Sequence, residues 1–174
     1  GLNTPQKAEW LALLRYHHGV ALFEFNKVPE ARQAFEQAAQ AAPALPVAVE
    51  ALLRGGQCQV EEQKRKIAEL EKQRSQPNLK PDQVANFENQ IKNEKQNLAN
   101  IAKLLEQRAE EQRKAHPTSE ARARMLYEAA WTYRAAGADP STAYTKLLEQ
   151  YADTALSVEA RLELAELIAE KKPD

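Results

Sequence analysis

The sequence predicts an all-α protein, and three observations carry that prediction. The 174 residues include 31 Ala, 20 Leu, 21 Glu and 15 Gln, all good helix formers, against 17 Val, Ile and Thr together, so a sheet would lack its usual side chains. Apolar residues recur at spacings of three and four, the period of a helix with one buried face. Prolines stand at the start or end of most of these stretches, at positions 5, 29, 43, 46, 81, 117 and 140. At this length the chain fits one domain, 1–174, of about seven helices.

The first helix spans about Pro5 to Phe25 and carries Trp10, Leu13, Leu14, Ala21, Leu22 and Phe25 as its apolar face. The second opens at Pro29, buries Ala31, Ala34, Phe35 and Ala38, and stops at Pro43. A third runs from Pro46 through Val49, Leu52 and Leu53 to about Ser75. Gly55 and Gly56 inside it cost roughly 2 kcal/mol of helix propensity relative to alanine, which marks a kink or the close approach of another backbone; close approach is the preferred reading.

The fourth helix begins at Pro81, with Asp82 at the positive end of its dipole, and reaches about Ala115. Between Gln57 and Lys114 there is one aromatic residue, Phe87, and 22 of 58 residues are charged, too little side-chain mass for a globular core. Val60, Ile67 and Leu70 on one helix, and Val84, Phe87, Ile91, Leu98, Ile101 and Leu105 on the other, follow near-heptad spacing and predict an antiparallel coiled-coil hairpin, weakest around Lys92 to Asn97. Helix five follows a Thr118 or Ser119 cap, turns Met125, Leu126, Ala129, Ala130 and Tyr133 inward, and ends at Gly137. Asp139 and Pro140 read as the cap and first residue of helix six, which holds Ala143, Leu147, Leu148 and Tyr151. The last helix, near Ala155 to Lys171, presents Val158, Leu162, Ala165 and Ile168 to the core.

Gly19, Leu22, Ala31, Phe35, Ala38 and Pro43 fall at the spacing of a helix-turn-helix unit about 34 residues long, and this stretch resembles the tetratricopeptide repeat. Ala130, Tyr133, Gly137, Ala143 and Leu147 keep the same order in a second unit. Arg15 and His18 stand where the family often has Trp and Leu. The resemblance implies a helical-hairpin solenoid: a first repeat at 4–45, an elongated hairpin at 46–116, a further repeat at 117–152 and a capping helix at 153–174. The middle unit exceeds a repeat by about 38 residues, so each of its helices is expected to overgrow its neighbours by roughly 28 Å. Tyr151, Ala152, Asp153, Thr154, Ala155 and Leu156 are similar to a Tyr-Pro-Asp-Ser linker common in bacterial envelope proteins with such repeats, with Ala152 in place of the proline. That likeness implies a bacterial cell envelope or periplasm rather than the cytoplasm.

The residue types that carry chemistry are scattered. His17 and His18 are adjacent, about 100° apart on a helix, and read as structural; His116 reads as solvated and Cys58 as a buried small residue. Glu61 and Glu62, Glu69 and Glu71, and Glu110 and Glu111 read as solvated faces with basic partners one turn away. A net charge of -1 offers no field for nucleic acid. The basic cluster of Lys64, Arg65, Lys66, Lys72, Arg74 and Lys80 is interleaved with glutamates and has only Phe87 to stack on a base. No apolar run is long enough for membrane insertion. The sequence therefore predicts no enzyme, no catalytic residue, no cofactor and no metal.

Arg124, Tyr127, Trp131 and Arg134 share one face of helix five. By the resemblance they line the inner groove that receives peptides in the family, where the arginines suit an acidic or carboxylate-bearing ligand; the alternative is that Tyr127 and Trp131 pack on the preceding long helices. Helix one offers Tyr16, Val20 and Phe23 there, in place of the Lys and Asn with which one sub-family clamps a terminal carboxylate. The function expected is a non-catalytic protein-protein interaction or scaffold module, part of a larger protein or assembly, binding a protein or peptide partner as a monomer or a weak dimer through the hairpin. Two alternatives stand beside it: a regulatory or substrate-recruiting segment of an enzyme whose catalytic domain lies elsewhere, and a structural coiled-coil dimerisation module.

Overall fold

The computed structural model describes residues 3–170 and consists of seven helices, α1 Thr4–Glu24, α2 Val28–Ala41, α3 Pro46–Arg74, α4 Pro81–Glu111, α5 Glu120–Ala136, α6 Ser141–Gln150 and α7 Ala155–Glu170, with no strand among the described residues. The boundaries follow local chemistry. Asn3 and Gln6 close a reciprocal capping box at the start of α1, each bond 3.0 Å long. Asn26 takes a left-handed φ of 60° in the turn to α2, and Gly137 takes φ 75° to end α5. Helix six starts one residue later than expected, because the Asp139 carboxylate accepts from the Ser141 amide at 3.0 Å. Helix four stops at Glu111 rather than Ala115: beyond it the chain turns to deliver the carbonyls of His116 and Pro117 to Arg122.

Each helix packs on the next, and the odd-numbered helices also touch in order, α1 on α3, α3 on α5 and α5 on α7. One core cluster gathers Val28, Ala31, Phe35, Ala38, Ala51 and Cys58; a second runs from Leu53 through Leu105, Met125 and Leu126 to Tyr144 and Leu147. Glycines set the spacing in both. A Cβ on Gly19 would lie 2.8 Å from the Phe35 ring, and one on Gly56 would overlap the Leu105 side chain, whereas one on Gly55 would meet Phe35 Cβ at an ordinary 3.7 Å. Of the glycine pair in α3, Gly56 is the close approach, and what approaches is a leucine side chain rather than a backbone.

In the hairpin, Val60, Ile67, Ile91, Leu98 and Leu105 are buried, while Leu70, Val84 and Phe87 toward the tip are half-buried. At its middle the apolar seam gives way to Gln63, which is 6% exposed and donates its side-chain amide to the carbonyl and carboxylate of Glu94. Neighbouring elements bracket more of the hairpin than repeat arithmetic predicts. Asn26 accepts from Arg65 at 2.6 Å, and Ala136, Gly137 and Ala138 share a groove with Ile91, Lys95 and Ala99. Arg74 and Glu88, near the end of the hairpin, line the same groove.

Two inward faces differ from expectation. On α7, Val158, Leu162, Ala165 and Ile168 face solvent, Val158 at 63% exposure, and the helix packs instead through Leu156, Ser157, Ala160, Leu164 and Leu167. This helix is apolar on both sides, and the acidic flank that reaches α5 decides which side turns in. On α1, Trp10, Leu14 and Phe25 are exposed, because the inner face must be as small as Ala12 and Gly19 to admit Phe35.

Two measurements check this packing. Gly56→Ala should lose about 1 to 2 kcal/mol in urea unfolding despite alanine's higher helix propensity, while Gly55→Ala should gain up to about 1 kcal/mol. In native-state hydrogen exchange, amides of 66–90 should exchange before those of 46–65 and 91–111, since few large side chains cover them.

Candidate functional site

The spacing in α5 does place Arg124, Tyr127, Trp131 and Arg134 on one face, and their ionic and aromatic partners lie on α5, α6 and α7 rather than on the long helices. Arg124 pairs with Glu120 one turn back, at 3.0 Å. The Tyr127 hydroxyl donates to the Glu159 carboxylate at 2.7 Å, and burial, reinforced by that bond, holds its pKa above the usual phenol value. Its ring lies edge-on to both Trp131, at 6.3 Å, and the buried Tyr144, at 6.2 Å. Arg134 is held by Glu163 and Glu170 with its guanidinium 5.9 Å over the Trp131 ring. Trp131 itself is 42% exposed, so it is a surface aromatic on a braced helix and not a core residue.

On α1, α2 and α3 a pocket of about 160 Å³ is lined by Val20, Phe23, Glu24, Phe35, Arg54 and Gln57. Phe35 is its buried floor, Phe23 stands at its mouth, and Tyr16 packs its ring on Phe35 at 5.7 Å. Arg54 sits 3.5 Å from Glu50 and donates to Gln57 at 3.3 Å. Gln57 in turn donates to Glu128 on α5 at 2.8 Å. Glu128 is one turn from both Arg124 and Trp131, so this bond joins the pocket rim to the α5 face. Val20 and Phe23, named from the sequence, line this pocket; Glu24, Arg54, Gln57 and Glu128 were not named there. A signal for the α3 members exists, since Glu50, Arg54, Gln57 and Glu61 recur at four, three and four as a polar stripe along a largely buried helix.

Elsewhere the titratable groups act in packing or ion pairs. Cys58 is fully buried, and burial, followed by the nearby Glu62 charge, pushes its thiol up to about 11, far from a reactive thiolate. His17 and His18 are both exposed. His116 is half-buried rather than solvated, with its Nε2 enclosed and its carbonyl accepting from Arg122. Glu61 pairs with Arg65, Glu62 with Arg32, Glu71 with Lys95 and Glu110 with Arg113. Among the described residues no group of three His, Cys, Asp or Glu side chains could hold a metal ion, and no helix is long and apolar enough to cross a membrane.

A pair of substitutions on α5 separates this face from the core behind it. Trp131→Ala should cost about 1 kcal/mol of stability by thermal or urea unfolding. Arg122→Met, one turn from the face but 1% exposed, should cost about 3 to 5 kcal/mol because several buried acceptors lose their donor. Compared with family models, with curated proteins and with solved structures, the chain matches none of them.

Proposed function

We propose that this chain is a non-catalytic protein-interaction module of tetratricopeptide type, in which the odd-numbered helices present a polypeptide-binding face and the α3–α4 hairpin forms an extended arm. The successive packing of the helices, the ordered contacts among α1, α3, α5 and α7, and the glycine in α1 that admits Phe35 from α2 all support a stack of helical hairpins. The single observation that carries the binding role is the continuity of the face. An apolar pocket with Phe23 at its mouth is linked through Gln57 and Glu128 to an exposed, braced Trp131. Partly open aromatics held rigid by neighbours are the side chains on which peptide interfaces concentrate their energy.

The test is affinity capture with three forms of the protein, each first shown by circular dichroism to be folded. The parent should retain a partner that the Phe23→Ala, Trp131→Ala double variant loses, since a buried aromatic anchor is worth about 2 kcal/mol, roughly thirtyfold in affinity. A form with the hairpin shortened beyond Arg65 and Ile91 should still retain it. Loss of the partner in the shortened form alone would place binding on the arm and reject the face.

A further inference from the structure

Two carboxylates bear on what chemistry the α1–α3 pocket accepts, Glu24 in its lining and Glu128 bonded to its Gln57. Glu24 lines the pocket from α1, and Glu128 approaches from α5 on the other side of α3 through its bond to Gln57. Neither has a cationic partner among the described residues. The arginines around them are all engaged: Arg15 donates to the Gln37 carbonyl, Arg54 to Gln57 beside Glu50, Arg65 to Glu61 and Asn26, Arg124 to Glu120, and Arg134 to Glu163 and Glu170. At Arg54, Arg65, Arg124 or Arg134 an anionic ligand would have to displace a glutamate, and in the pocket it would face Glu24. A cationic ligand would pair with Glu24 and Glu128 without breaking anything. The pocket, about 160 Å³, has close to the volume, about 150 Å³, in which a benzene-sized group is held in a protein interior.

We infer that this face binds a basic polypeptide segment whose single phenylalanine- or leucine-sized side chain enters the Phe23–Phe35 pocket while flanking lysine or arginine residues pair with Glu24 and Glu128. The inference rests on the reading of the face as a polypeptide-binding surface and reverses the expectation, drawn from Arg124 and Arg134, of an acidic ligand. Tyr127 and Glu159 extend the acidic edge toward α7, and Trp131 supplies a flat apolar surface beside it.

Three synthetic helical peptides of about eighteen residues, with one leucine face in common and lysine, glutamine or glutamate on the other, provide the test. Each is titrated into the isotopically labelled full chain, and the Gln57 side-chain amide and the Trp131 indole N–H are followed by NMR. The lysine peptide should shift both signals and bind about tenfold more tightly than the glutamine peptide at low salt, with the advantage fading as salt is raised. Glu24→Gln combined with Glu128→Gln should remove that advantage, bringing the lysine and glutamine peptides to the same affinity. If the glutamine or glutamate peptide binds at these two reporters as tightly as the lysine peptide, the charge preference is wrong while the binding face stands. If the lysine peptide shifts signals only elsewhere, on the hairpin or the outer side of α7, the preference is rejected as general attraction to an acidic surface. If no peptide moves either reporter, the binding face itself is rejected.

Discussion

The fold turns on one buried guanidinium. Arg122, in the first turn of α5, is 1% exposed and has no buried carboxylate beside it; its charge is met by backbone and amide oxygens. Nε donates to the Ala109 carbonyl in the last turn of α4 at 2.7 Å, Nη1 to the carbonyls of His116 and Pro117, and Nη2 to the Gln150 side chain at the end of α6, with the Tyr151 ring 5.5 Å away. Two helix C-termini, the negative ends of their dipoles, are thereby gathered on one cation. A charge taken out of water is tolerated when its donors are directed at acceptors, and the four bonds here tie together the end of α4, the turn at 116–117 and the end of α6. Helix five touches α3, α4, α6 and α7, so fixing its start fixes where Trp131 and Glu128 emerge on the surface.

Helix spacing is set by a complementary device, small residues opposite large ones. Gly19 receives Phe35 and Gly56 receives Leu105, which draws α1 onto α2 and α3 onto α4 closely enough to exclude water from a core built mostly of alanine. Such a core buries little area per residue and relies on density. The hairpin seam still buries Ile67 and Ile91 beyond the Gln63–Glu94 bond, while Leu70, Val84 and Phe87 nearer the tip are half-buried.

Charge on the odd-numbered helices illustrates why residue counts mislead about ligands. Arg124 and Arg134 look like anion receptors when read along the chain, yet each is neutralised by a glutamate on its own helix or on α7. Glu128 and Glu159 have neutral partners, Gln57 and Tyr127, as Arg15 has in the Gln37 carbonyl, and Glu24 lines the pocket. A neutral donor satisfies the hydrogen-bonding capacity of a carboxylate without cancelling its field.

The helices themselves, their number and most of their ends were legible in the sequence because proline, glycine and capping residues act locally, within a turn of where they stand. So was the face shared by Arg124, Tyr127, Trp131 and Arg134, since helical period alone puts them together. The helix faces that turn inward on α1 and α7 were not legible. Each carries apolar residues on opposite sides, and periodicity gives a spacing but no direction. On α1 the inward side is chosen by the bulk of Phe35, a residue of another helix; on α7 it is chosen by Tyr127 and Arg134, which draw Glu159, Glu163 and Glu170 toward α5. The Gln57–Glu128 bond, 71 residues apart in sequence, and the burial of Arg122 belong to the same class. They exist only once three or more helices have met, because the energy of a buried polar group depends on acceptors that distant segments bring to it.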